Sequence, residues 1–187
     1  RRQGSGNAGL TNFYRTYGIT GIVGVIAIDV LKGVLGTLIG GLLLNLAAPA
    51  GFEAEFTDVG RLVATFCVIL GHVFPIFYGF KGGKGILTGV SCVFVVDYHA
   101  ALIALVIFAI VVVATHYVSL GSVLSTLSVP VTLLANGFSG ICMILTIVSV
   151  ALIVIKHAEN ISRLIHHKEP KISFKKDLSH KLDNDGF

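Results

Sequence analysis

From Gly85 to Ile155 the chain carries no Lys or Arg, and Asp97 is its only acid. A soluble domain usually has about 25% charged residues, whereas this chain has 13%, with 54% apolar residues and a mean hydropathy of +0.87. A protein of this size has too much surface for its volume to hide so long an apolar stretch in one aqueous core. A bilayer removes that difficulty. The expected fold class is therefore all-α, a polytopic membrane helix bundle.

Six apolar runs are separated by polar breaks, at about 18–46, 61–78, 86–97, 100–115, 120–135 and 138–155. Crossing a bilayer takes about 20 such residues. The first run is long enough to tilt. The third is short and follows Gly82-Gly83, which predicts a broken or partly re-entrant helix, tolerated only where protein or a water-filled cavity satisfies the backbone. Charge orients the bundle. Arg1, Arg2 and Arg15 precede the first run, Glu53, Glu55 and Asp58 follow it, Lys81 and Lys84 follow the second, and the tail from Lys156 holds half of all Lys and Arg. Lys and Arg concentrate on the cytoplasmic side, so alternating crossings place residues 1–17, 79–85, 116–119 and 156–187 there. Residues 166–187 are expected as a solvated basic tail. The net charge of +4 then reads as affinity for a cytoplasmic membrane surface, not for nucleic acid. The chain begins with Arg1, and one further span is expected ahead of it, for seven in the full-length protein.

Inside the first run, Gly36 and Gly40 form a GxxxG pair, a mark of close helix packing. Asp29 and Lys32 lie three residues apart on one helical face. Charges at that depth are costly and face the bundle interior, so a structural ion pair is expected there. Cys67, Cys92 and Cys142 sit in apolar runs without metal or disulfide spacing, and are expected as small buried hydrophobes.

Four polar clusters fall on the side assigned to the cytoplasm. The first is GSGNAGLTN, residues 4–12, with Arg15 beyond it. Glycines let backbone N–H groups approach an anion, a following helix N-terminus adds its dipole, and Arg offers a bidentate fork for phosphate. Alone, the segment reads equally well as a loop ending in a helix cap. The second is GHVFPIFYGFKGGKG, residues 71–85, in which Lys81 and Lys84 flank two glycines. It lacks Walker A spacing, so nucleotide hydrolysis is unsupported. Two lysines at a helix end can simply anchor topology, but the flanking glycines favour a phosphate cradle. The third is His116-Tyr117-Val118-Ser119. A nucleophilic His–Ser dyad would need an orienting acid, and none is near in sequence. The fourth is His157-Ala158-Glu159-Asn160-Ile161, where His157 and Asn160 can face one cavity. His166, His167 and His180 lack metal-ligand geometry, so no metal or other cofactor is expected.

In order and at fitting separations, GSGNAGLTN with Arg15, GHVFPIFYGFKGGKG, YVSL and HAENI resemble the bacterial acyl-phosphate-dependent glycerol-3-phosphate acyltransferases, the PlsY family. The resemblance implies a seven-helix fold with one transmembrane acyltransferase domain over 1–187, working at the cytoplasmic face of the bacterial inner membrane. The reaction it implies moves an acyl group from acyl phosphate to the primary hydroxyl of glycerol 3-phosphate, releasing lysophosphatidate and phosphate. By family position, Ser5, Arg15, Lys84, Ser119, His157 and Asn160 would contact substrate at the reacting centre. Gly82 would belong to the phosphate-facing backbone, with Asn7, Thr11, Asn12, His72 and Lys81 as further binding positions. The sequence departs from the family at His116, where Arg is usual, at Leu10 for Ala, and at Ile86-Leu87 for Val-Ala. The chemistry agrees with the resemblance. An acyl phosphate is already activated, so its transfer needs phosphate clamps and alignment more than a protein nucleophile.

A transporter or channel for phosphorylated anions would also use intramembrane glycines and a broken helix. It should show access from both faces or an internal repeat, and the outer loops carry no matching cationic cluster.

Overall fold

Each apolar run becomes a helix, because lipid offers the backbone no hydrogen-bond partners and a helix satisfies its own. The computed structural model describes residues 10–172, with side chains from Val23 onward. Within them are α1 (Leu10–Leu46), α2 (Glu53–Val73), a 3-10 turn (Ile76–Tyr78), α3 (Ile86–Val96), α4 (Tyr98–Thr115), α5 (Val118–Ala135), α6 (Gly140–Lys156) and α7 (Ala158–Ile165). No strand occurs among the described residues.

α1 begins well ahead of the expected residue 18. Thr11, Asn12 and Arg15 lower the hydropathy there without breaking the helix. Its 37 residues extend about 56 Å, against a hydrocarbon core of about 30 Å, so only the apolar part, Val23–Leu46, needs to lie in lipid. By length and composition four of the described helices are able to cross a membrane, or five if α6 and α7, bent by 58° at their junction, count as one span. The expectation of about six spans included a short third one, broken or partly re-entrant, and that run accounts for the difference. It is α3, whose 11 residues cover only about 16 Å.

The short α3 still connects the two ends of the bundle. At its far end Asp97 caps α4, accepting from the Ala100 N–H at 2.8 Å, and takes a 2.8 Å hydrogen bond from Asn136 Nδ2 at the end of α5. At its near end the chain folds back on α2. The Gly82 and Gly83 N–H groups donate to the Val73 and His72 carbonyls at 3.0 and 3.2 Å. Gly85, at φ +85°, then packs against Ile69, Val73 and Ile153. α3 thus starts against the last turns of α2 and α6, with the loop that precedes it folded onto the end of α2.

Glycine brings α1 onto its neighbours. A Cβ at Gly40 would lie 2.3 Å from Ala64 Cβ and 2.6 Å from the Gly60 carbonyl oxygen, and one at Gly36 would lie 2.6 Å from Val68. The expected close-packing pair is therefore the α1–α2 seam. The core proper has two parts. Leu62, Val96, Ala100, Ala104, Val129, Leu133 and Cys142 fill the far half. Ile69, Val73 and Ile153 form a second, smaller cluster under Gly85, at the start of α3. Cys92 and Cys142 are buried as expected, but Cys67 is exposed, on a helix whose outer face needs only to be apolar.

Candidate active site

The near end of the bundle carries Lys81, Lys84, Lys156, Arg163, Lys168 and Lys171, and the far end carries Glu53, Glu55, Asp58 and Asp97. Within the basic end, Lys84 Nζ donates to Asn160 Oδ1 across 76 positions of sequence. This bond ties the glycine loop to the start of α7.

Asn160 is 6% exposed, and its amide is held from both sides. Its Nδ2 donates to Glu169 Oε1 at 2.7 Å, so its Oδ1 must face Lys84. The other carboxylate oxygen of Glu169 accepts from Arg163 Nε at 2.7 Å. Glu169 is 9% exposed. Burial alone would raise its pKa, but the Ser119, Asn160 and Arg163 donors and the Arg163 charge outweigh it and hold the carboxyl below its ordinary value. Burial pushes the Lys84 amine down. The Glu169 carboxylate works against that, while the Arg163 charge adds to it.

Ser119 enters from α5. Its hydroxyl is buried and has no partner in hydrogen-bond geometry among the described residues, although it is near enough to help hold Glu169 ionised. Local sequence explains its freedom. Ser122, Ser125, Thr126, Ser128 and Thr132 all donate back to carbonyls three or four residues earlier in α5 or its first turn, the usual way a helix satisfies hydroxyls in apolar surroundings. Ser119 lies in the first turn of α5, and the residue four before it ends a different helix. His157 sits at the α6–α7 bend, 2% exposed. Its Nδ1 lies 2.8 Å from the Ile153 carbonyl oxygen. A carbonyl only accepts, so Nδ1 carries the proton and Nε2 is left as the other polar edge.

Lys84, Ser119, His157 and Asn160 are thus brought into one polar cluster around Glu169, with Gly82 two residues before Lys84 in the loop. Lys81 is exposed on the outer side of that loop. His72 lies beneath it, its ring against Gly83. The readings of Ser5 and Asn7 fall outside the described residues, as do the side chains of Thr11, Asn12 and Arg15, whose backbone forms the first turns of α1. Glu169 was not foreseen. The tail was expected to be solvated from residue 166, yet its first residues dock: the Ile172 N–H donates to the His116 carbonyl at 2.9 Å, and Lys171 lies 5.3 Å from the Tyr117 ring centroid. A lone acid before Pro170 in a basic stretch, with a buried Asn and an Arg in need of an acceptor, was the available signal.

Comparison with known proteins decides the family. The profile described as glycerol-3-phosphate acyltransferase matches residues 1–167. The chain belongs to the glycerol-3-phosphate acyltransferase family. A family member from Thermoanaerobacter sp. (strain X514) is 39% identical over 180 residues, covering 95% of this chain and 84% of that protein. One from Geobacter sulfurreducens is 37% identical, covering 88% and 79%. Two crystal structures of PlsY, an integral membrane glycerol 3-phosphate acyltransferase, are each 35% identical to the chain. The glycerol 3-phosphate form has a TM-score of 0.77 and covers 92% of this chain and 82% of that one. The lysophosphatidic acid form has 0.75, with 90% and 81%. The chain is thus an integral membrane acyltransferase by family, and its polar cluster is where the loop and helix ends of that fold converge.

Proposed function

We propose that the chain acylates glycerol 3-phosphate at this cluster, with acyl phosphate as donor, on the cytoplasmic side of a bacterial inner membrane. The observation that carries this reading is the Lys84–Asn160 contact, which joins two distant phosphate-binding and polar motifs into one buried, cationic site. Phosphate needs donors that are fixed before it arrives. Lys84 supplies a charge, and the loop around Gly82 lets backbone approach closely.

In the proposed step the primary hydroxyl oxygen of glycerol 3-phosphate attacks the acyl carbonyl carbon. An ester C–O bond forms, the C–O bond to phosphate breaks, and phosphate leaves with the electron pair. A substrate phosphate oxygen takes the hydroxyl proton, so no protein base is consumed. Lys84 and Arg15 would neutralise phosphate charge as it develops. Ser5, Ser119, His157 and Asn160 would orient acceptor and donor, the free Ser119 hydroxyl and His157 Nε2 being the groups with unspent hydrogen-bonding capacity. Asn7, Thr11, Asn12, His72 and Lys81 would complete the binding surface. The acyl chain would lie among the helices or in the adjoining leaflet, and the exposed Ile76, Phe77, Tyr78 and Phe80 suit a membrane–water boundary, where aromatic residues collect.

The test is direct. Purified full-length protein, given acyl phosphate and glycerol 3-phosphate, should release lysophosphatidate and phosphate in equal amounts, and Lys84→Ala and Arg15→Ala should each lose most of that turnover. Folded protein that forms no product would defeat the reading. Normal rates in both variants would remove the phosphate-clamp assignment.

A further inference from the structure

Beneath the glycine loop lies a second polar cluster, of which the reaction above uses only His72. Lys32 Nζ, from α1, lies 2.5 Å from Asp29 Oδ1 and 2.6 Å from His72 Nδ1, near the end of α2. Asp29 Oδ1 is itself 3.5 Å from the same ring nitrogen, and Thr88 Oγ1 of α3 is 3.4 Å from it. Three helices therefore meet at one imidazole. The expected Asp29–Lys32 pair is present, but it has a third member.

The opposite edge of that ring faces the loop. A Cβ at Gly83 would stand 2.2 Å from His72 Nε2 and 2.9 Å from Cε1, so only glycine lets the loop rest on the imidazole. The main chain reinforces the contact, since the Gly83 N–H donates to the His72 carbonyl.

We propose that Asp29 and Lys32 are positioning residues for the phosphate loop, acting through His72: Lys32 fixes the imidazole as the neutral tautomer with its proton on Nε2, turned toward Gly83. An ammonium has donors and no acceptor. Lys32, ion-paired to Asp29, can approach Nδ1 at 2.6 Å only if that nitrogen is unprotonated. The proton then sits on Nε2, and the edge that supports the Gly82-Gly83 backbone is an N–H donor, the polarity an anion on that loop requires. Asp29 holds the ammonium in place and would, without Lys32, take the role of acceptor itself. Removing Lys32 should therefore reverse the ring: Nδ1 would keep a proton for Asp29, and the donor edge would be lost from the loop side. This inference deepens the acyl-transfer reading, because the loop it supports is the one assigned there to phosphate.

The experiment uses full-length protein labelled with nitrogen-15 at histidine. In the wild type the His72 ring should show a protonated Nε2 and an unprotonated Nδ1, and added inorganic phosphate should move the Nε2–H resonance. Lys32→Met should shift the proton to Nδ1. It should also raise KM for at least one phosphorylated substrate about tenfold, the scale of one misplaced charge-assisted hydrogen bond, with a smaller change in kcat. Lys32→Arg, which also only donates, should restore both the tautomer and KM. A wild-type ring protonated on Nδ1 or on both nitrogens overturns the proposal, even if Lys32→Met does not fold. So does a folded Lys32→Met with wild-type tautomer and KM values. If the wild type instead shows the expected tautomer but makes no lysophosphatidate, the fault lies with the proposed reaction and not with the relay.

Discussion

Glu169 offers the sharpest test of how the site is held together. In Glu169→Ala both oxygens that organise Asn160 and Arg163 disappear. The Asn160 amide nitrogen is buried, so losing its acceptor should cost about 1–3 kcal/mol. The Arg163 side chain is 41% exposed and can turn to water, so its lost ion pair adds at most about 1 kcal/mol. The expected loss is about 1–4 kcal/mol, concentrated in the docking of residues 168–172. The functional effect follows from orientation. With the carboxylate present, only Oδ1 of Asn160 can face Lys84. Without it Asn160 is held on one side only, by Lys84, and its buried N–H₂ must move to find another acceptor. Turnover should fall at least tenfold, or about 1.4 kcal/mol in transition-state terms. Glu169→Gln should be milder, since its amide oxygen can still serve Asn160 while its nitrogen opposes Arg163. The assay is lysophosphatidate formation by purified protein, with the unfolding midpoint measured in parallel. An alanine variant with the wild-type rate and midpoint would refute this account of the site.

Four further outcomes are expected. Because the folded protein holds the Glu169 carboxyl below its ordinary value of 4.5, the associated stability should be full above about pH 4.5 and be lost as pH falls through the folded value; Glu169→Gln should lose less on acidification than the wild type, as thermal unfolding at a series of pH values would show. Burial lowers the Lys84 pKa from 10.5, so its cation is lost before the ordinary lysine range; the alkaline limb of turnover should begin below pH 10.5 and move upward in Lys84→Arg if that variant retains activity. Gly82→Ala should nearly abolish turnover, because its Cβ would fall 1.9 Å from the His72 carbonyl oxygen and 2.7 Å from that of Val73, backbone atoms that cannot turn aside. Asp97→Ala should lower the unfolding midpoint, the lost α4 cap alone costing about 0.5–2 kcal/mol, yet leave KM unchanged, since Asp97 lies at the opposite end of the bundle.

Helix positions were legible because the breaks between runs are chemically distinct. The boundary at Asp97 is a capping acid, and the one at His116 is a residue at φ +63°, where few side chains sit comfortably. Hydropathy misjudged the start of α1, since polarity at Thr11, Asn12 and Arg15 says nothing about helix continuity. The shortness of α3 was legible in its run of about a dozen apolar residues after Gly82-Gly83, but the loop folding back onto the His72 and Val73 carbonyls, a tertiary event, was not. The convergence of Lys84 with His157 and Asn160 was anticipated from the charge asymmetry of the loops. Glu169 was not, because a carboxylate in a lysine-rich tail looks solvated until its partners are known. The Asp29–Lys32 pair could be read from a helical spacing of three, but its contact with His72, on a different helix, could not.

The shortness of α3, 11 residues against the 17 to 21 of α2, α4, α5 and α6, has a consequence for how a two-phase reaction could be run. A lysine that stood level with the helix ends would meet phosphate only in water, and a donor with a long hydrocarbon tail would have to be lifted out of lipid to reach it. One residue before Gly85, which packs against Ile69, Val73 and Ile153, Lys84 in its proposed role would let a headgroup arrive while its tail stays dissolved in the leaflet. The water-soluble acceptor would then come from the basic end, so neither reactant would have to leave the medium in which it travels.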